Sequence, residues 1–314
     1  IKDVIDGGSD SVHPAFIVNG VEVPEIYISK FQNVIHNGRA YSLPGEDPRT
    51  SVTFDTARQA CEAKGRGWHL MTHAEWAAIA LWCRKNNLMP KGNNNYGKDH
   101  SETTYIAIPN PNHQDEGRTS RVLTGTGPVT WSHNGEVTGI WDLNGNVWEW
   151  CGGYRTLGGE IHILPNNNAA DPNNSQSASS ELWRAILENG SLVDPNTDGT
   201  LKWDFVDGKI TLCKTITNQA DASRSTEFKN LAVAPEVSTV PEILKALALF
   251  PADNGDHGGD YFYMNNGAGL ERLAFRGGGW NNGAAAGVLA LRGGGSRSSA
   301  DAHLGFRSAF IPGI

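Results

Sequence analysis

The carboxyl-terminal segment from Arg276 to Ile314 constrains the fold more than any other part of the chain. It alternates stiff pieces (Arg276-Gly-Gly278, Gly287-Val-Leu-Ala-Leu291, Leu304-Gly-Phe-Arg307) with short runs of small or polar residues. The paired glycines suit tight turns with positive φ, and Trp280, Val288, Leu291 and Phe306 are expected to anchor the loops in a core. An interchangeable side chain must face solvent while unchanging residues hold the backbone. The segment therefore reads as a rigid scaffold with an exchangeable surface, built for recognition and not for chemistry.

The 314 residues suffice for one large domain or two modest ones. An apolar share of 39%, with 10 Trp, 10 Phe and 7 Tyr, supports a real core, and 37 Gly with 15 Pro imply many turns. A net charge of -8 argues against nucleic acid as the main partner, because phosphate contacts need a basic surface. The most apolar run, 243–250, is interrupted by Lys245 and is too short to insert in a membrane. The chain begins with Ile and lacks a signal-peptide layout, which is compatible with a trimmed leader. Cys61, Cys83, Cys151 and Cys213 are widely spaced without a Cys-x-x-Cys, favouring buried free thiols over disulfides and excluding a cysteine metal cluster.

Along the chain, residues 14–50 alternate as strands with turns at Asn19-Gly20 and Asn37-Gly38. A helix is expected from Thr53 to Ala63. A second follows the capping box Thr72-His-Ala-Glu75 and runs to Asn86-Asn87. Two consecutive helices between strand-rich regions indicate an α+β arrangement. Residues 91–140 read as loops with strands at 104–108 and 129–131. From 152 to 266 the composition turns rich in Asn, Ser and Asp, as in a long insertion. Within it we expect a mobile loop at 166–180, a short helix at 181–188, a hairpin around Asp207-Gly208 and a helix from Thr239 to Pro251. The whole is expected to form a single domain over 1–314.

Four segments resemble, in order, the formylglycine-generating-enzyme branch of the C-type lectin fold. They are Trp68-His-Leu-Met-Thr-His-Ala-Glu-Trp76, Asp142-Leu-Asn-Gly-Asn-Val-Trp-Glu-Trp150, Phe275-Arg-Gly-Gly-Gly-Trp280 and Leu304-Gly-Phe-Arg307. The resemblance implies two helices packed on twisted antiparallel sheet. The enzymes of that branch use a redox-active cysteine pair near the carboxyl terminus, whereas this chain has no cysteine after Cys213. Iron-dependent sulfoxide-synthase relatives need a histidine cluster on a preceding helical domain, and residues 1–50 hold only His13 and His36. No catalytic residue is carried over.

A third branch fits better. From Arg276 to Arg307 the chain is similar to the variable proteins of diversity-generating retroelements, which display a hypervariable surface on this lectin fold. Such systems randomise template adenines, mostly in Asn-type codons ending in a pyrimidine, which never yield Lys, Glu, Gln, Met or Trp. From Arg272 to Ile314 there is no Lys, Glu, Gln or Met, and the one Trp is Trp280, a framework position; the alternative is a glycine-rich loop that happens to be low in charge. The resemblance implies ligand-binding variable positions at Gly279, Asn281, Asn282, Ala285, Arg292, Gly294, Gly295, Ser299, Asp301, Ala302 and His303. Gly293 stands where the pattern has a more apolar residue, which leaves the register of 292–295 open. Arg276 and Arg307 are expected to brace loop carbonyls or pair with Asp142 or Glu149.

In the enzymes the stretch matching 142–150 binds Ca²⁺. Carried over, the ligands are the side chains of Asp142 and Glu149 with the carbonyls of Gly145 and Val147; the alternative is core packing of Trp148 and Trp150 with hydrogen-bonded carboxylates. No other cofactor is implied. The expected role is non-enzymatic recognition of a protein or glycan on a target cell surface, from a virion tail tip or a cell surface. A degenerate oxidase and a fixed-site glycan-binding lectin are the alternatives. A homo-oligomer stays open, with 152–266 as its contact or as a flank of the binding face.

Overall fold

In the computed structural model, residues 12–104, 107–255 and 257–314 are described. Helix α1 (Phe54–Glu62) starts where the Thr53 hydroxyl accepts the Thr56 amide, and it buries Phe54, Ala57, Ala60 and Cys61. Helix α2 (His73–Lys85) carries the expected capping box: Thr72 Oγ1 accepts from Glu75 N while Glu75 Oε2 accepts from Thr72 N. Every residue from His73 to Leu81 is buried, so α2 is a core helix and not a surface one with a single apolar stripe.

The strands between Trp148 and Phe306 form a twelve-stranded central sheet. They are β1 (Trp148–Leu157), β2 (Glu160–Ile163), β3 (Arg184–Ile186), β4 (Leu192–Val193), β5 (Lys202–Val206), β6 (Lys209–Cys213), β7 (Arg224–Glu227), β8 (Ala232–Val233), β9 (Tyr261–Met264), β10 (Glu271–Gly277), β11 (Gly287–Gly295) and β12 (Leu304–Phe306). The main order is β7-β9-β11-β10-β1-β2-β5-β6-β8, with β3 on β2, β4 on β3 and β12 parallel to β1. The α2 side chains pack into one core with Tyr154, Trp203, Phe262 and Leu289. Those of α1 pack into another with Trp148, Trp150, Phe275 and Phe306. Trp76 Nε1 donates to Val288 O at 2.7 Å and Trp150 Nε1 to Val52 O at 3.0 Å, so both indoles are satisfied where they are buried.

Several local expectations change. Residues 152–266, read as an insertion, supply β2 to β9 and are built into the sheet. The expected helix at 181–188 is instead β3, because Ala185 and Arg184 pair with His162 and Ile163; sheet pairing overrides local propensity. Residues 129–131 form a 3₁₀ turn. The helix expected over 239–251 shortens to α3 (Glu242–Ala246), with Pro241 as a cap that offers no side-chain bond. The loop at 166–180 is tied down by buried Asn167 and Gln176. Tyr105 and Ile106 of the expected 104–108 strand lie outside the described residues. The hairpin about Asp207-Gly208 forms as expected, with Val206 opposite Lys209.

The tail is locked by Arg307. Its guanidinium grips Glu149 in two parallel bonds (Nε to Oε2 at 2.9 Å, Nη2 to Oε1 at 2.8 Å) and donates to the carbonyls of Ser29, Lys30 and Trp141. Both side chains are fully buried. Removing one partner strands a buried charge, so Arg307→Ala is expected to cost about 3–5 kcal/mol in urea unfolding; a loss below about 1 kcal/mol would contradict this role.

Candidate functional site

The candidate face is made by the loops before and after β11, together with its exposed end. Gly277 and Gly278 have φ of 92° and 90°, a left-handed turn that carries the chain out of β10. Trp280 then turns inward, is buried, and donates Nε1 to Asp115 Oδ2 at 3.0 Å. His303 lies on that indole, with ring centroids 3.9 Å apart and planes at 15°. Burial lowers the pKa of His303, which favours a neutral ring in the stack. On β11, Arg292 is exposed beside Tyr263 of β9 and Phe275 of β10.

The expected variable positions separate by environment. Asn281, Arg292 and Asp301 are exposed, and Asn282, Ala285, Gly294, Ser299, Ala302 and His303 are half-buried. Some serve the backbone as well: Asn282 Oδ1 accepts from Gly279 N at 2.7 Å, and Asp301 Oδ1 accepts from His303 N at 2.8 Å. Ser299 Oγ accepts from Ser296 N, and Ala302 O accepts from Arg121 Nη1. Gly279 is buried, but an added Cβ would sit 3.5 Å from its neighbours, an ordinary contact.

Gly295 is a correction. A Cβ there would meet the Phe275 ring at 2.2 Å, so the position belongs to the frame. At Gly294 the nearest atom, Asn265 Cβ, is 3.8 Å from an added Cβ. The register left open by Gly293 thus resolves: Arg292 and Gly294 are accessible, Gly293 and Gly295 buried.

Arg276 is wholly structural. Buried beneath the face, it donates to the carbonyls of Leu247, Ala248 and Leu289, and its Nη2 lies 2.8 Å from His73 Nε2. Burial and the adjacent guanidinium hold the pKa of His73 well below the ordinary value, which favours a neutral ring whose Nε2 lies between the Arg276 guanidinium and Leu247 O, 2.9 Å away.

Sequence reasoning missed one flank of the face. The hairpin Gln114–Asp115 and Arg118–Thr119 supplies Asp115 to Trp280, and His113 meets the same indole edge-on. Arg118 stacks over Tyr96 at 3.6 Å, and Tyr96 N donates to Trp280 O at 2.8 Å. The only local signal was the tight turn at Glu116-Gly117; the pairing with Trp280 spans more of the chain than any local pattern reports.

The residues expected to hold Ca²⁺ come together differently from the expectation. The carbonyls of Gly145 and Val147 and Glu149 Oε1 converge on the side-chain amide of Gln32. Asp142 offers its carbonyl there, while its carboxylate takes the Gly125 amide on Oδ2 and leaves Oδ1 buried without a partner. As it stands, this donor set does not fit a Ca²⁺ ion. Among the described residues no group of three or more His, Cys, Asp or Glu could hold a metal, and no helix is long and apolar enough to cross a membrane.

The sulfatase-modifying factor enzyme 1-like domain model (FGE-sulfatase) matches residues 15–182, just over half of the chain. The chain belongs to that family. The match takes in the Thr72 cap, the 114–119 hairpin and the 142–150 loop, and it ends before the 276–307 segment of this sulfatase-modifying-factor-like domain. No curated protein matches it in sequence. Among solved structures, the Major Tropism Determinant P3c Variant aligns over 99% of this chain and 55% of its own, with 11% identity and a TM-score of 0.33. This chain thus spans little more than half that protein's length. Treponema denticola variable protein 1 aligns over 90% of this chain and 77% of its own, with 13% identity and a TM-score of 0.28.

Two outcomes test this geometry. Gly294→Tyr is expected to keep stability within about 0.5 kcal/mol, whereas Gly295→Ala loses about 1–3 kcal/mol through overpacking; equal costs in thermal unfolding would reverse the assignment. Burial raises Asp142 from 3.8 to about 6 in the fold. A carboxyl raised on folding stabilises below its unfolded value and loses that contribution as pH climbs through about 6. Wild type should therefore weaken relative to Asp142→Asn by on the order of 1–3 kcal/mol between acid and neutral pH, and a pH-independent difference would refute the burial argument.

Proposed function

We propose that this chain is the variable protein of a diversity-generating retroelement, a recognition protein whose surface between Arg276 and Arg307 is rewritten by adenine-directed mutagenesis. The observation that carries this reading is the separation of roles within one segment. Arg276, Trp280, Val288 to Leu291 and Leu304 to Arg307 are buried. Asn281, Asn282, Ala285, Arg292, Gly294, Ser299, Asp301, Ala302 and His303 are at least partly accessible. The absence of Lys, Glu, Gln and Met from Arg272 onward matches what adenine mutagenesis of pyrimidine-ending codons can produce. The ligand class is a protein or glycan on a target cell, met from a virion tail tip or a cell surface.

A non-enzymatic role agrees with the state of the thiols. All four cysteines are free and buried. Burial pushes Cys83 and Cys213 up to about 12 and raises Cys61 and Cys151 as well, so the reactive thiolate is suppressed at neutral pH. Oxygen consumption with a thiol peptide would favour the oxidase alternative.

This copy presents few large anchors. Strong interfaces depend on Tyr, Trp or Arg, and among the proposed variable positions only Arg292 and His303 have that reach, with His303 already stacked on Trp280. Weak binding to a protein ligand is expected, and tight binding that survives Arg292→Ala with His303→Ala would contradict it. The decisive test is the locus: the proposal expects a nearby reverse transcriptase and a near-identical copy of codons 276–307 differing at adenines. A locus without that repeat overturns it.

A further inference from the structure

Gln32 is fully buried, in the segment between the strands Tyr27–Ile28 and Val34–His36. Its Nε2 faces four oxygens of the 142–149 loop: Asp142 O at 3.2 Å, Gly145 O at 3.5 Å, Val147 O at 3.1 Å and Glu149 Oε1 at 3.1 Å. Four acceptors gathered around one point are what a hard cation attracts. Here the point is an amide nitrogen.

The orientation of that amide is fixed through the backbone. Asn146 Oδ1 accepts from Val122 N at 2.9 Å and its Nδ2 donates to Val122 O at 3.2 Å, so the Asn146 amide has one permitted orientation. The same Nδ2 donates to Gln32 Oε1 at 2.8 Å. With its oxygen engaged there, Gln32 must turn its NH₂ group into the cradle.

Charge and distance agree. The carboxylate of Glu149 is already matched by the two-pronged Arg307 contact, so the four oxygens that face Gln32 bring no unmatched charge to attract a dication. Ca²⁺ would draw its oxygens in to about 2.3–2.6 Å, whereas these stand at amide hydrogen-bond distances. Asp142 and Asn146 hold the loop in left-handed turns, with φ of 61° and 60°, and the Gln32 amide ties the carbonyls of that loop together.

We propose that the Gln32 carboxamide is a built-in replacement for a divalent cation at the centre of the 142–149 loop, so that the frame beneath the recognition face is held without Ca²⁺. The test compares thermal unfolding of the whole chain, wild type and Gln32→Glu, in a chelator and in millimolar Ca²⁺. It adds Tb³⁺ luminescence excited through the tryptophans of the loop. Wild type is expected to unfold at the same temperature in both buffers and to give no sensitised Tb³⁺ emission. Gln32→Glu turns the centre into a cluster of bare oxygens. It is expected to lose roughly 4–8 °C or more in chelator, to recover with Ca²⁺, and to bind Tb³⁺. A wild type that loses stability in chelator, or that sensitises Tb³⁺, overturns the proposal, and so does a folded Gln32→Glu indifferent to Ca²⁺. If Gln32→Glu fails to fold in either buffer, the wild-type arm decides alone.

Discussion

The buried pair between Arg307 and Glu149 is the contact on which the rest depends. It joins the last framework piece of the tail to the 142–150 loop, and through the carbonyls of Ser29, Lys30 and Trp141 it reaches two further segments. A guanidinium has five donors in a rigid fork, enough to satisfy a carboxylate and several carbonyls at once. Because the charge is buried, each of those acceptors must stay in place, or an ion is left without compensation. The tail is therefore held chiefly by buried groups, while Asn282, Ser299 and Asp301 add local backbone bonds at the candidate face itself.

Arg276 repeats the principle at the start of the tail, with carbonyls and a neutral His73 in place of a carboxylate. Between the two arginines, β11 lies between β9 and β10 inside the sheet. Its residues Val288, Leu289, Ala290 and Leu291 are all buried, shared between the two cores, and the accessible Arg292 and Gly294 come only at its far end. Trp280 and His303 close the face over Asp115. The hairpin at 114–119 then supplies a border lying outside the segment proposed to vary.

What the sequence made legible was local. The capping box at Thr72 to Glu75, the helix opened by Thr53 and the hairpin at Asp207-Gly208 each depend on residues a few positions apart, and each formed. For Arg276 and Arg307 the sequence left loop carbonyls and the carboxylates of Asp142 or Glu149 open; Arg307 takes Glu149 together with three carbonyls, and Arg276 takes carbonyls. The misses were nonlocal. Strand β3 exists because β2 offers it a partner, and Asp115 and Gln32 matter because of residues 165 and more than 100 positions away. The inward turn of Gly295 follows from the β10–β11 register, shifted by a bulge between Leu273 and Phe275. A glycine triplet carries no side-chain pattern from which that register could be read.

The central claim is that one segment is divided into exchangeable and fixed positions by its packing. A saturation library over 276–307, sorted for folded protein and sequenced, tests this most directly. The account predicts broad acceptance of side chains at Asn281, Ala285, Arg292, Gly294 and Ser299, against near-exclusive retention of Arg276, Trp280, Gly295 and Arg307. If the accessible positions prove as restrictive as the buried ones, the tail is an ordinary structural segment and the account is wrong.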